Sequence, residues 1–264
     1  MTGEKEALYD RIGDDYDTTR HADSYIVSRL IDLLSVEKGG SVLDIACGTG
    51  NYTTALERNG YKMTGVDCSS EMLGNAKEKS ETVNWMKGFV ESLPIADGLF
   101  DGCICTLAIH HFNDLKKVFS EVYRVISKGR FVLMTCSHKQ VRNYWLYRYF
   151  PEALETLTEY MPDFDVVIDS LSDAGFYIKS VEPYYVTDEL TDNFLGCQKN
   201  HPELYLDEDF RNGMSIFSAK ASAEAVASGC AHLAEDIENG SFAEFIKNHR
   251  NPIGEYMFIT AEKR

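Results

Sequence analysis

Short apolar runs and helical patches alternate through the first half of this chain. Residues 42–46 form an apolar run of strand length. The run breaks at Gly48 and Gly50, and 51–58 reads as a helix that Gly60 stops. A second strand is predicted at 61–67, ending in Asp67, followed by a helix with Ser69 as its N-cap. A third strand follows at 83–89, and 102–108 reads as a fully apolar central strand. A helix capped by Asn113 or Asp114 runs to Ile126, residues 127–130 read as a turn, and 131–136 as a strand. Upstream, the spacing of Ile26, Leu30, Ile31 and Leu34 predicts a helix over 22–34.

The pattern changes beyond Cys136. Residues 144–151 are the most aromatic stretch of the chain, and a helical stretch follows to Met161. A helix over 166–174 is stopped at Gly175, and 176–186 and 254–261 read as the last two strands. More than sixty polar, helix-patterned residues separate those strands, far more than a hairpin loop holds. The expectation is a single α/β domain over 1–264 with helices on both faces of a mostly parallel sheet. Residues 187–253 would form a helical cap insertion over the active site, and 1–35 a pair of N-terminal lid helices. No internal repeat or low-complexity tract interrupts the pattern.

Charge narrows the choice of partners. Forty-two acidic against twenty-six basic side chains leave a formal charge of −16. Such a surface repels phosphate backbones and anionic headgroups, which argues against nucleic acid and membranes as partners. The seven cysteines are odd in number and scattered, as expected of reduced thiols in a cytoplasmic protein. No metal-ligand spacing stands out. The N-terminus has no signal-peptide core and no run is long enough to span a bilayer.

The strand, glycine turn and helix at 42–58 make the start of a nucleotide-binding βαβ unit. Glycines let a ligand approach the backbone, and a helix opening presents free N–H groups. Asp67 falls about 20 residues on, where such folds hold ribose hydroxyls. A dinucleotide site prefers G-x-G-x-x-G, but Asn51 or Thr53 stands where the third glycine would fall. His110 and His111 follow the central strand, at the end where ligands of open α/β sheets bind.

Asp44, Ala46, Gly48 and Gly50 in the spacing D-x-A-x-G-x-G, with the strand-terminal Asp67, resemble the first two motifs of class I S-adenosylmethionine (SAM) methyltransferases. D-x-S-x-x-M-L at 67–73 and the stretch 88–101 extend the resemblance, toward methyltransferase type 11 and ubiquinone/menaquinone methyltransferase-like domains. It covers about the first 140 residues and the last strand. It implies a Rossmann-like seven-stranded sheet in the order 3-2-1-4-5-7-6, its last strand antiparallel. It also implies SAM as cofactor and S-adenosylhomocysteine as product. Cofactor contacts would come from Tyr16, Asp44, Ala46, Cys47, Gly48, Gly50, Asp67, Cys68, Met72, Phe89, Val90 and Thr106.

Two departures stand out. Phe89 occupies a position where the family commonly has an acid that accepts the adenine amino hydrogen, and the family's K-P-G-G turn is one residue shorter here. Tyr9 and Tyr16 either close over the methionine end of SAM or pack the first helix. The family shares no catalytic residue, because a general base is needed only when the acceptor arrives protonated. His111 is the favoured base and His110 the support of the cofactor shelf, since consecutive residues leaving a strand point to opposite sides. Trp145, Arg148 and Tyr205 are candidates to hold a small-molecule substrate under the cap. Two rivals stay open: a non-catalytic SAM-binding partner subunit, and a nicotinamide-dependent oxidoreductase. The acceptor atom and self-association into a homodimer are also open.

Overall fold

The computed structural model describes Asp17 and residues 20–264, except 213, 219 and 220. Tyr9 and Tyr16 lie outside the described residues, as does most of the expected first lid helix. The chain forms two compact units: the first comprises 1–135, 165–182 and 258–264, the second 136–164 and 183–257.

In the first unit, α1 (Ser24–Leu34) begins at Asp23, whose carboxylate accepts from the Tyr25 and Ile26 amides and so satisfies two orphan donors. Its apolar stripe, Ile26, Leu30, Leu33 and Leu34, is buried. β1 (Ser41–Ile45), α2 (Asn51–Arg58), β2 (Lys62–Asp67), α3 (Ser70–Lys79) and β3 (Asn84–Lys87) then follow in strict alternation. Ser69 caps α3, accepting from the Met72 amide as the sequence predicts. β4 (Phe100–Thr106) and β5 (Ile126–Thr135) flank α4 (Leu115–Val125), which Asp114 caps. α7 (Phe164–Asp173), β6 (Tyr177–Tyr184) and β7 (Tyr256–Lys263) complete the sheet order 3-2-1-4-5-7-6. The pairs β1–β2, β1–β4, β2–β3 and β4–β5 are parallel, within a mixed sheet.

One element departs from expectation. Residues 127–130 are strand, not turn: β5 starts directly after α4. The register steps from Phe100 opposite Ile126 to Gly102 opposite Arg130, so extra residues bulge out of β5. Gly129 sits in that bulge at φ 140°, and a Cβ there would lie 2.0 Å from the Asp101 carbonyl oxygen. The shorter turn is thus a bulged strand start that only glycine fits.

The second unit is built from both sides of β6. It contains α5 (His138–Asn143), α6 (Pro151–Tyr160), α8 (Glu208–Asn212), α9 (Ser215–Ser218), α10 (Ala223–Glu238) and α11 (Ser241–Asn248). Its two chain segments are stitched together by buried polar contacts. Gln140, part of a capping box with Ser137, donates to the carbonyls of Ile253 (2.8 Å) and Tyr256 (2.6 Å). Within the 183–257 segment, Glu255 accepts from the Val186 amide at 2.9 Å and from Lys199 at 3.0 Å. The insertion at 187–253 therefore belongs to a larger unit that includes 136–164. Among the described residues no helix is long and apolar enough to cross a membrane.

Candidate functional site

The C-terminal ends of β1, β2 and β4 meet where the strand order reverses between β1 and β4. Parallel strands leave their last carbonyls and the following turns there, which makes this crevice the ligand-binding edge of such a sheet. The first turn is held tightly. The Cys47 amide donates to the Val66 carbonyl at 3.1 Å, and the Gly48 amide to Asp67 Oδ2 at 2.8 Å. Asp67 Oδ1 accepts from the Ser69 amide at 2.9 Å, and Cys68 also donates to this carboxylate. A carboxylate has about four lone-pair sites, so Asp67 fixes the turn with these donors, and a ligand hydroxyl would share or replace one of them.

The two glycines have different tasks. Both lie at positive φ, 55° for Gly48 and 73° for Gly50. A Cβ on Gly48 would meet none of the described residues within 4 Å, so its missing side chain leaves open space in the turn among them. A Cβ on Gly50 would lie 2.3 Å from the Trp85 ring, which also fills the space over Gly65. Gly48 keeps an approach clear, whereas Gly50 makes room for Trp85 under the start of α2. Ala46 and Leu107 occupy the left-handed region at φ 53° and 54°, each just past the end of a central strand. Such strain concentrates at functional sites.

Burial sets the electrostatics. Asp44 is fully buried, accepts from Thr53 Oγ1 at 2.6 Å through Oδ2, and leaves Oδ1 buried with no partner among the described residues. Its pKa is raised to about 7 by burial, with the negative charge of Asp67 adding to the rise. Burial also raises Asp67, against the hydrogen bonds it accepts from Ser69 and Gly48. Burial pushes the Cys47, Cys103 and Cys105 thiols far up, so none is a thiolate nucleophile at neutral pH. Two confined carboxylates favour a ligand that brings positive charge.

Other expected site residues fall around this edge. Thr106 ends β4, half-buried, while Met72 and Val90 are buried. Phe89 follows β3 and is 48% exposed. His110 and His111 do not leave a strand on opposite sides. They lie in a 3₁₀ turn, Ile109–His111, with ring centroids 3.8 Å apart, because the chain turns immediately after Leu107.

Sequence reasoning missed one group altogether. Asp17 accepts from Thr49 Oγ1 (2.7 Å) and Asn51 Nδ2 (3.1 Å) and pairs with Lys79 at 2.7 Å. Lys79 also donates to Thr49 and Asn51. Burial works against the Asp17 charge, but the Lys79, Thr49 and Asn51 contacts outweigh it and hold the carboxyl below its usual range. Nothing in the spacing of 17, 49, 51 and 79 signals that they meet.

Trp145 and Tyr205 lie in the interior of the second unit. The Trp145 ring packs edge-on against Tyr205 and Phe242, and its Nε1 donates to the Lys199 carbonyl at 3.0 Å. The Tyr205 hydroxyl donates to the Cys197 carbonyl at 2.7 Å and lies 3.2 Å from that of Tyr144. Both residues spend their polar groups inside the core, as buried Trp and Tyr usually do. Arg148 is the accessible member of the three.

The fold and the glycine-turn edge define a Rossmann-like protein that binds a nucleoside-containing cofactor. Residues 43–134 match the model of a methyltransferase domain family, Methyltransf_11. The chain is also 34% identical to a crystallised protein of Anabaena variabilis assigned as a methyltransferase of an antibiotic biosynthesis pathway. That likeness covers 91% of this chain and 98% of the other, with a TM-score of 0.80. It is 35% identical over 101 residues to the malonyl-[acyl-carrier protein] O-methyltransferase of Pectobacterium atrosepticum, covering 38% of this chain and 40% of the relative. It is 31% identical over 135 residues to the demethylmenaquinone methyltransferase of Thermotoga maritima, covering 48% and 59%. The chain spans about half the length of the curated relatives it matches. It belongs to the SAM-dependent methyltransferases, and SAM is its cofactor.

Proposed function

We propose that this protein transfers the methyl group of SAM to a small-molecule acceptor and releases S-adenosylhomocysteine. The observation that carries this reading is the open Gly48 turn beside the buried Asp44–Asp67 pair. The clear space suits a nucleoside, Asp67 would accept its ribose hydroxyls in exchange for present donors such as Cys68, and the carboxylates suit a cation. Bound SAM supplies a methyl group already activated by its sulfonium. The protein has to position the acceptor and keep water out, and orientation of this kind is worth on the order of 7–11 kcal/mol. The exposed side chain of Phe89 would offer a stacking face to the adenine. The adenine hydrogen bond would then fall to a backbone carbonyl.

The relatives' acceptors do not carry over, because the matches with named substrates are confined to about half of each chain. A proton from the acceptor would be taken at the His110–His111 pair. Incubation with SAM and fractions of a metabolite extract should release S-adenosylhomocysteine. His111→Gln should then lower kcat by roughly 10²–10⁴ while SAM affinity stays near wild type. Cofactor binding without release in any fraction would favour a non-catalytic partner. Equal loss of affinity and turnover in His111→Gln would make the residue structural.

A further inference from the structure

The second unit carries a partly open cavity of about 310 Å³ between residues 148–153 and one face of α10. This volume is at the lower end of small-ligand sites. The cavity runs along α10 from Ala225 to His232, seven residues or about 10 Å of helix. Phe150, Val226 and Gly229 give it apolar lining, with Ser228 beside them. A Cβ on Gly229 would lie 2.4 Å from the Tyr149 carbonyl oxygen, so the glycine brings helix and segment together.

The two ends differ in charge. Glu152 accepts from the Ser222 amide at 2.9 Å, and Ser222 caps the start of α10. That negative end is therefore matched by a helix N-terminus. Arg148 and His232 line the other end and share one carboxylate oxygen. Asp236 Oδ2 lies 3.3 Å from Arg148 Nη2 and 3.7 Å from His232 Nε2, and accepts from the Tyr149 hydroxyl at 2.8 Å. Asp236 is buried, and the Arg148 guanidinium lies 4.8 Å from the Phe245 ring centroid. The guanidinium is thus fixed in place. Among the described residues it has Asp236 as acceptor for one of its five N–H donors. A fixed fork with unused donors, beside an imidazole and at the end of an apolar slot, is the chemistry of carboxylate recognition.

We infer that this cavity binds an elongated small organic acid, with its carboxylate on Arg148 and His232 and its apolar body along Phe150 and Val226. The inference does not depend on methyl transfer, and its test reads binding. Calorimetry of the full chain with 3-phenylpropionate should show saturable binding, and 3-phenylpropionamide should bind at least about tenfold more weakly, the scale of one charge-assisted contact. Arg148→Met and His232→Gln should each weaken the acid by a similar factor. Ala225→Phe, which fills the slot from α10 and leaves the charged end intact, should abolish binding. Affinity for S-adenosylhomocysteine within about twofold of wild type would show that each variant is folded. Release of S-adenosylhomocysteine with SAM and 3-phenylpropionate would make the acid an acceptor, and binding without release would make it an effector. Either result supports the site. Absence of binding at millimolar probe, equal affinity for acid and amide, or undiminished binding by Ala225→Phe would overturn it.

Discussion

At the scale of single residues, the glycine turn separates two requirements that look alike on paper. Gly48→Ala places a methyl group in open space, so it should weaken SAM binding while costing the fold only about 1–2 kcal/mol for a left-handed alanine. Gly50→Ala drives a methyl into the Trp85 ring and should destabilise the fold by clearly more than Gly48→Ala. Urea denaturation beside calorimetry separates the two, and a reversed order would refute the assignment. Asp44 makes a pH-dependent prediction. Its folded pKa of about 7 lies above the roughly 3.9 of an unfolded aspartate, so the folded state holds a proton that the unfolded chain releases. This contribution to stability is complete below about pH 4 and is lost as pH rises toward 7, by at most about 4 kcal/mol. Asp44→Asn carries no such proton and should flatten that part of the profile. Denaturation midpoints of the variant that follow the wild type from pH 4 to 8 would show that Asp44 does not hold the proton.

At the scale of elements, the start of β5 shows why turn residues need a partner strand before they can be read. Ser127 and Gly129 carry turn chemistry, yet β4 is parallel to this segment and absorbs it as a bulge. The bulge brings Gly129 against the Asp101 carbonyl, so Gly129→Ala should cost more than the ~1 kcal/mol of an ordinary helix or strand glycine. Thermal unfolding checks this, and a midpoint within a degree of wild type would show that the bulge relaxes freely. The histidines teach the same lesson. Alternation of side chains holds within a strand, but β4 ends at Thr106 and the chain turns before His110. The two rings therefore lie side by side, tilted 51° to each other.

At the scale of the whole molecule, the chain passes between its two units several times, and β6 and β7 each contribute residues to both. Excising 187–253 would remove the partners of Gln140, Trp145 and Tyr149 along with the insertion. The shortened protein should bind the dye ANS through its exposed aromatic face, and should not behave as a trimmed methyltransferase. Weak dye binding and a sharp unfolding transition would show that 136–164 folds without its partner segment.

The sequence by itself determined the alternating elements, the strand order through its family motifs, and the positions of Gly48, Gly50, Asp67 and Ser69. These are local signals: periodicity, turn chemistry, capping and a carboxylate at a strand end each act within a few residues. Tertiary structure alone decided which glycine faces open space and which faces Trp85, because a ring 35 residues away in the chain fills one of them. It also brought Asp17 to Lys79 and joined 136–164 to 183–257 in one core. It placed His232 and Arg148 on a single buried carboxylate. Each of these depends on packing between segments far apart in the chain, and no spacing along one segment encodes it.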